Sequence, residues 1–119
     1  MAQAKFKLAL TTDGAGAASA RTKEPVNGEI DGIYVDLGTL DAAADITIEQ
    51  NDGGGALPVA YIANATTGWY FPIITAIHVS GSGTPKTDGY IPVVGYITAS
   101  VANGGAAATG SVTVFVHEE

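Results

Sequence analysis

The feature that most limits what this chain can fold into is an apolar period of two that glycine or proline keeps cutting short. The opening run "KFKLALTT" alternates Phe6, Leu8 and Leu10 with Lys5, Lys7 and Ala9, which puts one apolar row on one side of an extended strand. The same alternation returns with Ile46 and Ile48 in "ADITIEQ", and with Val59, Tyr61 and Ala63 in "PVAYIAN". It returns again with Ile73, Thr75, Ile77 and Val79, with Val93, Ile97, Ala99 and Val101, and with Val112, Val114 and Val116. In "PVNGEIDGIYVDLG", Ile33, Val35 and Leu37 share a parity that Ile30 lacks, so a bulge near Asp31-Gly32 is expected. Pro72 places the start of its strand at an edge or just outside the ladder. "TLDAAADI" offers at most one helical turn after Thr39, or a loop, and no stretch sustains a longer helical period. Turn signals recur about every ten residues, the spacing of an all-β domain.

The expectation is therefore a single antiparallel β-sandwich of about eight short strands over residues 1–119, with jelly-roll and immunoglobulin-like topologies both open. Two hairpins are expected within it. In the first, over 4–23, "DGAG" turns the chain and Thr12 pairs with Gly16. Leu10, Leu8 and Phe6 then face Ala18, Ala20 and Thr22, while Lys7 faces Arg21 and Lys5 faces Lys23. The second spans 90–117, where "ANGGAAATG" joins two apolar runs.

The net charge of −7 is unevenly spread. Lys5, Lys7, Arg21 and Lys23 precede or flank the turn, whereas from Glu24 onward Lys86 stands alone among acids. An acidic body disfavours nucleic acid, whose affinity comes from phosphate neutralisation. Four cations on one hairpin face would repel one another. They suit an acidic partner surface or a neighbouring copy, or else they guard an edge against unwanted strand pairing. The opening lacks a secretory apolar core and no stretch approaches a membrane span, so a protein folded in the cytosol without a membrane partner is expected.

Reactive chemistry is sparse. There is no cysteine. His78 and His117 have no third ligand at a metal-binding spacing. Asp36, Asp41, Asp45 and Asp52 fit no calcium-loop pattern and suit solvated loops, with a surface ion as the alternative for the Asp36–Asp45 region. Ser80 and Ser82 do not sit in a nucleophile elbow, and the glycine-rich stretches lack what a phosphate loop needs. No catalytic constellation, metal or cofactor is expected. In "TGWYFP", Trp69 and Tyr70 are candidate interface aromatics, but consecutive strand residues face opposite sides, so at least one of Trp69, Tyr70 and Phe71 belongs to the core.

The succession "KFKLALTTDGAGAASA", "VNGEIDGIYVDLG", "DITIEQNDGGG", "YIANATTGWYFPI" and "PVVGYITASVANGGAAATGSVTVFV" resembles a family of small tailed-bacteriophage virion proteins, over nearly the whole chain. That resemblance implies a β-sandwich that binds and stabilises the capsid shell as a decoration (cement) or head accessory protein, in a virion assembled in the host cytoplasm. It implies the major capsid protein or another virion protein as partner. Such pieces work as symmetric homo-oligomers, a trimer being favoured here, whose repeated contacts add avidity. The alternative is a carbohydrate- or receptor-binding module of a fibre or tail, which needs several aromatics exposed together near polar groups. A small hydrolase would need His78 beside a carboxylate and a serine.

Overall fold

The computed structural model describes residues 2–75 and 88–118. Ten strands run through them: β1 (Ala2–Thr11), β2 (Ala18–Arg21), β3 (Val26–Asp36), β4 (Asp45–Asn51), β5 (Ala56–Ile62), β6 (Gly68–Tyr70), β7 (Ile73–Thr75), β8 (Asp88–Tyr90), β9 (Pro92–Ala102) and β10 (Thr109–Glu118). No described residue is helical, and "TLDAAADI" is a loop leading into β4. The all-β expectation holds, but the strands form one sheet and not two separate ones. Eight of them pair antiparallel in the order β1-β10-β3-β9-β4-β5, with β2 added to β9 and β6 to β3, while β7 and β8 form a ribbon of their own.

The sheet has two limbs that share one core. Leu8 and Leu10 of β1, Ile33 and Val35 of β3 and Val112, Val114 and Val116 of β10 come from the first limb. Ile46 and Ile48 of β4 and Ile97, Ala99 and Val101 of β9 come from the second, and all belong to the same buried cluster. The period of two written in each strand supplies this: one parity is sealed inward and the other stays at the surface. Among the described residues, the rows expected to face inward on β1, β4, β9 and β10 do so.

β3 is the pivot between limbs. Its first residues, Val26–Glu29, pair with Gly95–Pro92 of β9, and Gly28–Asp36 pair with Glu118–Ser111 of β10. Gly28 is therefore flanked on both sides, and a Cβ there would collide with the backbone of His117. The bulge expected near Asp31-Gly32 is present: Ile30 opposes Val116 and Gly32 opposes Phe115, leaving Asp31 as the extra residue. It allows Ile30 and Ile33 both to reach full burial. Gln50, buried on β4, ties the start of β9 to the second limb by donating from Nε2 to the Pro92 carbonyl (2.8 Å) and accepting the Val94 amide (3.0 Å).

Neither expected hairpin forms. The "DGAG" turn is made, with the Asp13 amide donating to the Ala17 carbonyl at 3.0 Å, but the strands part beyond it. β1 pairs with β10 along its whole length, and β2 pairs with β9. Lys7 thus opposes Thr113 and Lys5 opposes Phe115, while Arg21 opposes Thr98. Likewise β9 and β10 pair with other strands, and the glycine-rich link between them crosses from limb to limb. β10 gains a partner on each side, β1 and β3, and the inward row of each limb covers the other limb's core. The two crossing turns clasp each other: Thr12 Oγ1 accepts the Ala108 amide (2.8 Å) and donates to the Gly105 carbonyl, and the Gly104 amide donates to the Gly16 carbonyl (2.9 Å).

A second correction concerns β5. Glu49 opposes Pro58 and Ile48 opposes Ala60, so Val59 is bulged out of register. The bulge reverses parity beyond it. Val59 is buried, but Tyr61 points to solvent and does not share its face.

Candidate functional site

The outward face of the first limb carries the residues of opposite parity to the core. They are Lys5 and Lys7 on β1, Thr113 and Phe115 on β10, Gly32, Tyr34 and Asp36 on β3, and Trp69 on β6. Trp69 lies directly across from Tyr34 in the β3–β6 ladder. Its indole contacts three rings. Tyr34 meets it edge to face at 5.1 Å, Phe115 is tilted against it at 5.1 Å, and Phe71 lies 6.0 Å away within 9° of parallel. Such pairs favour offset or edge-on geometry, as here.

Gly32 makes room for this arrangement. A Cβ at that position would stand 3.1 Å from the Phe71 ring, so the absent side chain lets Phe71 lie across the strand. Trp69 remains 53% exposed and Phe71 64% exposed. Two open grooves flank the indole: one of about 350 Å³ between Trp69, Lys5, Lys7 and Asp36, and one of about 200 Å³ bounded by Gln3, Asp31 and Phe71. Gln3 Nε2 donates to Asp31 Oδ2 at 2.9 Å, which fixes a polar rim beside the rings.

Of the aromatics singled out from sequence, Trp69 is on this face and Tyr70 is not. Tyr70 turns inward against the core, and its hydroxyl bonds the Thr66 amide and carbonyl, holding the loop before β6. Phe71 then shares the side of Trp69, which strict alternation from Trp69 to Phe71 requires. Tyr34 and Phe115 complete the cluster. Their parity marked them as outward, but only the β3–β6 and β3–β10 registers bring them to Trp69.

Lys5, Lys7, Arg21 and Lys23 do converge, although not as paired strands. They line a groove of about 420 Å³ along the seam between β1 and β2, with Phe6, Leu8, Thr22 and Glu24. Arg21 also lies over the Tyr96 ring, 4.4 Å from its centre. Among the described residues, the one contact within ion-pair range is His117 Nδ1 to Asp31 Oδ2 at 3.7 Å, so none of the four cations has a carboxylate partner. Among the described residues, buried His117 Nε2 finds no hydrogen-bond partner.

The aspartates serve local turns. Asp36 accepts the Gly38 amide, Asp41 the Ala43 amide and Asp52 the Gly54 amide, each two residues on. Asp45 accepts the Asn64 amide and the Asn103 side chain, pinning two loops to the start of β4. Among the described residues no three potential metal ligands cluster. His78, Ser80, Ser82 and Lys86 lie outside the described residues. No protein-family model, curated protein or solved structure matches the chain.

Proposed function

We propose that this protein is a structural component of a tailed-bacteriophage virion, a decoration or head accessory protein that docks on the capsid shell through the outward face of its first limb. The observation that carries this reading is the cluster of Trp69, Phe71, Tyr34 and Phe115, left at the surface beside Lys5 and Lys7. Tryptophan and tyrosine dominate the energetics of protein interfaces when a partner removes them from water. Flanking lysines in a protein of net charge −7 would orient that contact toward an acidic surface. The chain's resemblance to small virion proteins supports the same role. A homo-oligomer, favoured as a trimer, would present several such faces at once and multiply a modest single-site affinity.

The test is co-sedimentation of the purified protein with particles assembled without it. Binding that is lost in Trp69→Ala, with the β-sheet circular dichroism spectrum retained, is the expected result. A strict monomer that fails to bind such particles would remove the proposal.

A carbohydrate-binding module of a fibre or tail is the second reading. It is favoured by the near-parallel Trp69 and Phe71 rings, a flat apolar platform with Gln3 and Asp31 at its rim. Glycan-array binding abolished by Trp69→Ala, without particle binding, would select it.

A further inference from the structure

We propose that the seam between β1 and β2 is an acceptor site for an extended acidic segment of a partner protein, in which carboxylate and apolar side chains alternate. This site is separate from the Trp69 face, though Lys5 and Lys7 border both. β1 pairs with β10 on one side only, and among the described residues no strand pairs with its other side. Among the described residues, β2 pairs only with β9. The two strands leave the Asp13–Ala17 turn side by side without forming a ladder, and their free edges face one groove. Free edges present unmade backbone hydrogen bonds, the template for adding a strand.

The chemistry of the walls specifies what would be added. The outward residues are Lys5 and Lys7 on one side and Arg21 and Lys23 on the other, with Glu24 the single acid. The inward residues of the lining are Phe6, which packs against the core yet remains partly open, and the buried Leu8 and Thr22. A strand lying along Lys5–Leu8 would therefore send alternate side chains to cations and to an apolar floor. The like charges explain why the protein does not close the seam itself, since cations directly opposed across a β1–β2 ladder would repel. The wall facing Lys5 and Lys7 carries two more cations, and none of the four has a carboxylate partner among the described residues.

The experiment titrates the folded chain with a capped synthetic peptide of alternating valine and aspartate, by calorimetry at low and high salt. Controls are the same composition with the acids grouped at one end, a valine–lysine peptide and a short DNA duplex. Binding should favour the alternating acidic peptide, weaken with salt, and slow hydrogen exchange of the Lys5–Leu8 amides. The Arg21→Gln/Lys23→Glu double variant should weaken it by roughly tenfold or more. Both positions are exposed, and the circular dichroism spectrum verifies the fold. No binding, equal binding of the grouped peptide, an unaffected double variant, or equal binding of the duplex each overturns the proposal. Particle docking that needs Trp69 but persists in the double variant, with no peptide binding, would refute the seam site while leaving the docking face intact. Peptide binding without particle docking would do the reverse.

Discussion

Tyr34 and Trp69 are directly opposed on β3 and β6, and their rings meet edge to face at 5.1 Å on the outside of the sheet. A three-residue strand thus delivers the chain's single tryptophan to a surface whose other rings come from β3, β10 and the residue beyond β6. Cross-strand aromatic pairs contribute roughly 0.2–1 kcal/mol each, too little to explain leaving so much apolar ring surface in water. The proposed docking would cover this cluster.

Because Trp69 is the chain's single tryptophan, its emission reports on this face alone. In the free protein it should be readily quenched by acrylamide, since about half of the side chain is open to solvent. On docking to particles the emission should shift to shorter wavelength and resist quenching. Emission unchanged on saturating docking would place the contact elsewhere.

Thr12→Val keeps the side-chain volume close to that of threonine but removes the buried hydroxyl that joins the two crossing turns. The Ala108 amide and the Gly105 carbonyl lose their shared partner. Leaving such groups unsatisfied costs about 1–3 kcal/mol. The urea midpoint should fall correspondingly while the slope stays constant. An unchanged midpoint would show that the clasp contributes nothing.

Gly28→Ala should be among the most damaging single substitutions. Its Cβ would meet the backbone of His117 on β10, which β1 holds in place from the other side. Overpacking typically costs about 1–3 kcal/mol, and more where backbone must move. Thermal unfolding should show a loss at or above that range. By contrast, Gly14→Ala has open space around it and should cost far less.

Acidification should act through Asp13. Its carboxylate accepts the Ala17 and Ala15 amides, which lower its pKa below the ordinary 3.8. A depressed folded-state pKa gives stability that is present above the unfolded value and lost as pH falls through the folded one. Asp13→Asn keeps an acceptor but does not titrate. Urea midpoints of the two proteins should run parallel above about pH 5 and converge or cross below about pH 4 as the wild type weakens. Parallel curves down to pH 2 would exclude this linkage.

How much of this was legible in the sequence follows from what period two can encode. It marks which residues of a strand share a side, so the inward rows of β1, β4, β9 and β10 and the Asp31 bulge could be read directly. It does not encode which strands become neighbours. Both glycine-rich turns look like hairpin loops, yet the strands they join belong to different ladders: β10 has β1 and β3 on its two sides, which leaves no edge for β9, while like charges oppose closure of β1 on β2. The Val59 bulge is harder to read for a similar reason: a single extra residue inverts every later side chain, and in "PVAYIAN" only Pro58 beside it is a signal, one that an edge position would equally explain. Among the site residues, the cations could be grouped from sequence because they share parity around one turn. Their meeting across an unzipped seam, and the approach of Tyr34 and Phe115 to Trp69, depend on registers that only tertiary pairing sets.

The pairing of Ala2 with Glu118 along the β1–β10 ladder also bears on how the protein is made. During synthesis, Phe6, Leu8 and Leu10 wait for residues 109–118 to leave the ribosome, since among the described residues no nearer segment pairs with β1. Contacts so distant in sequence slow folding. A nascent copy would spend that interval with this apolar row uncovered, and the cluster of Tyr34, Trp69 and Phe115 could assemble only once β10 is in place.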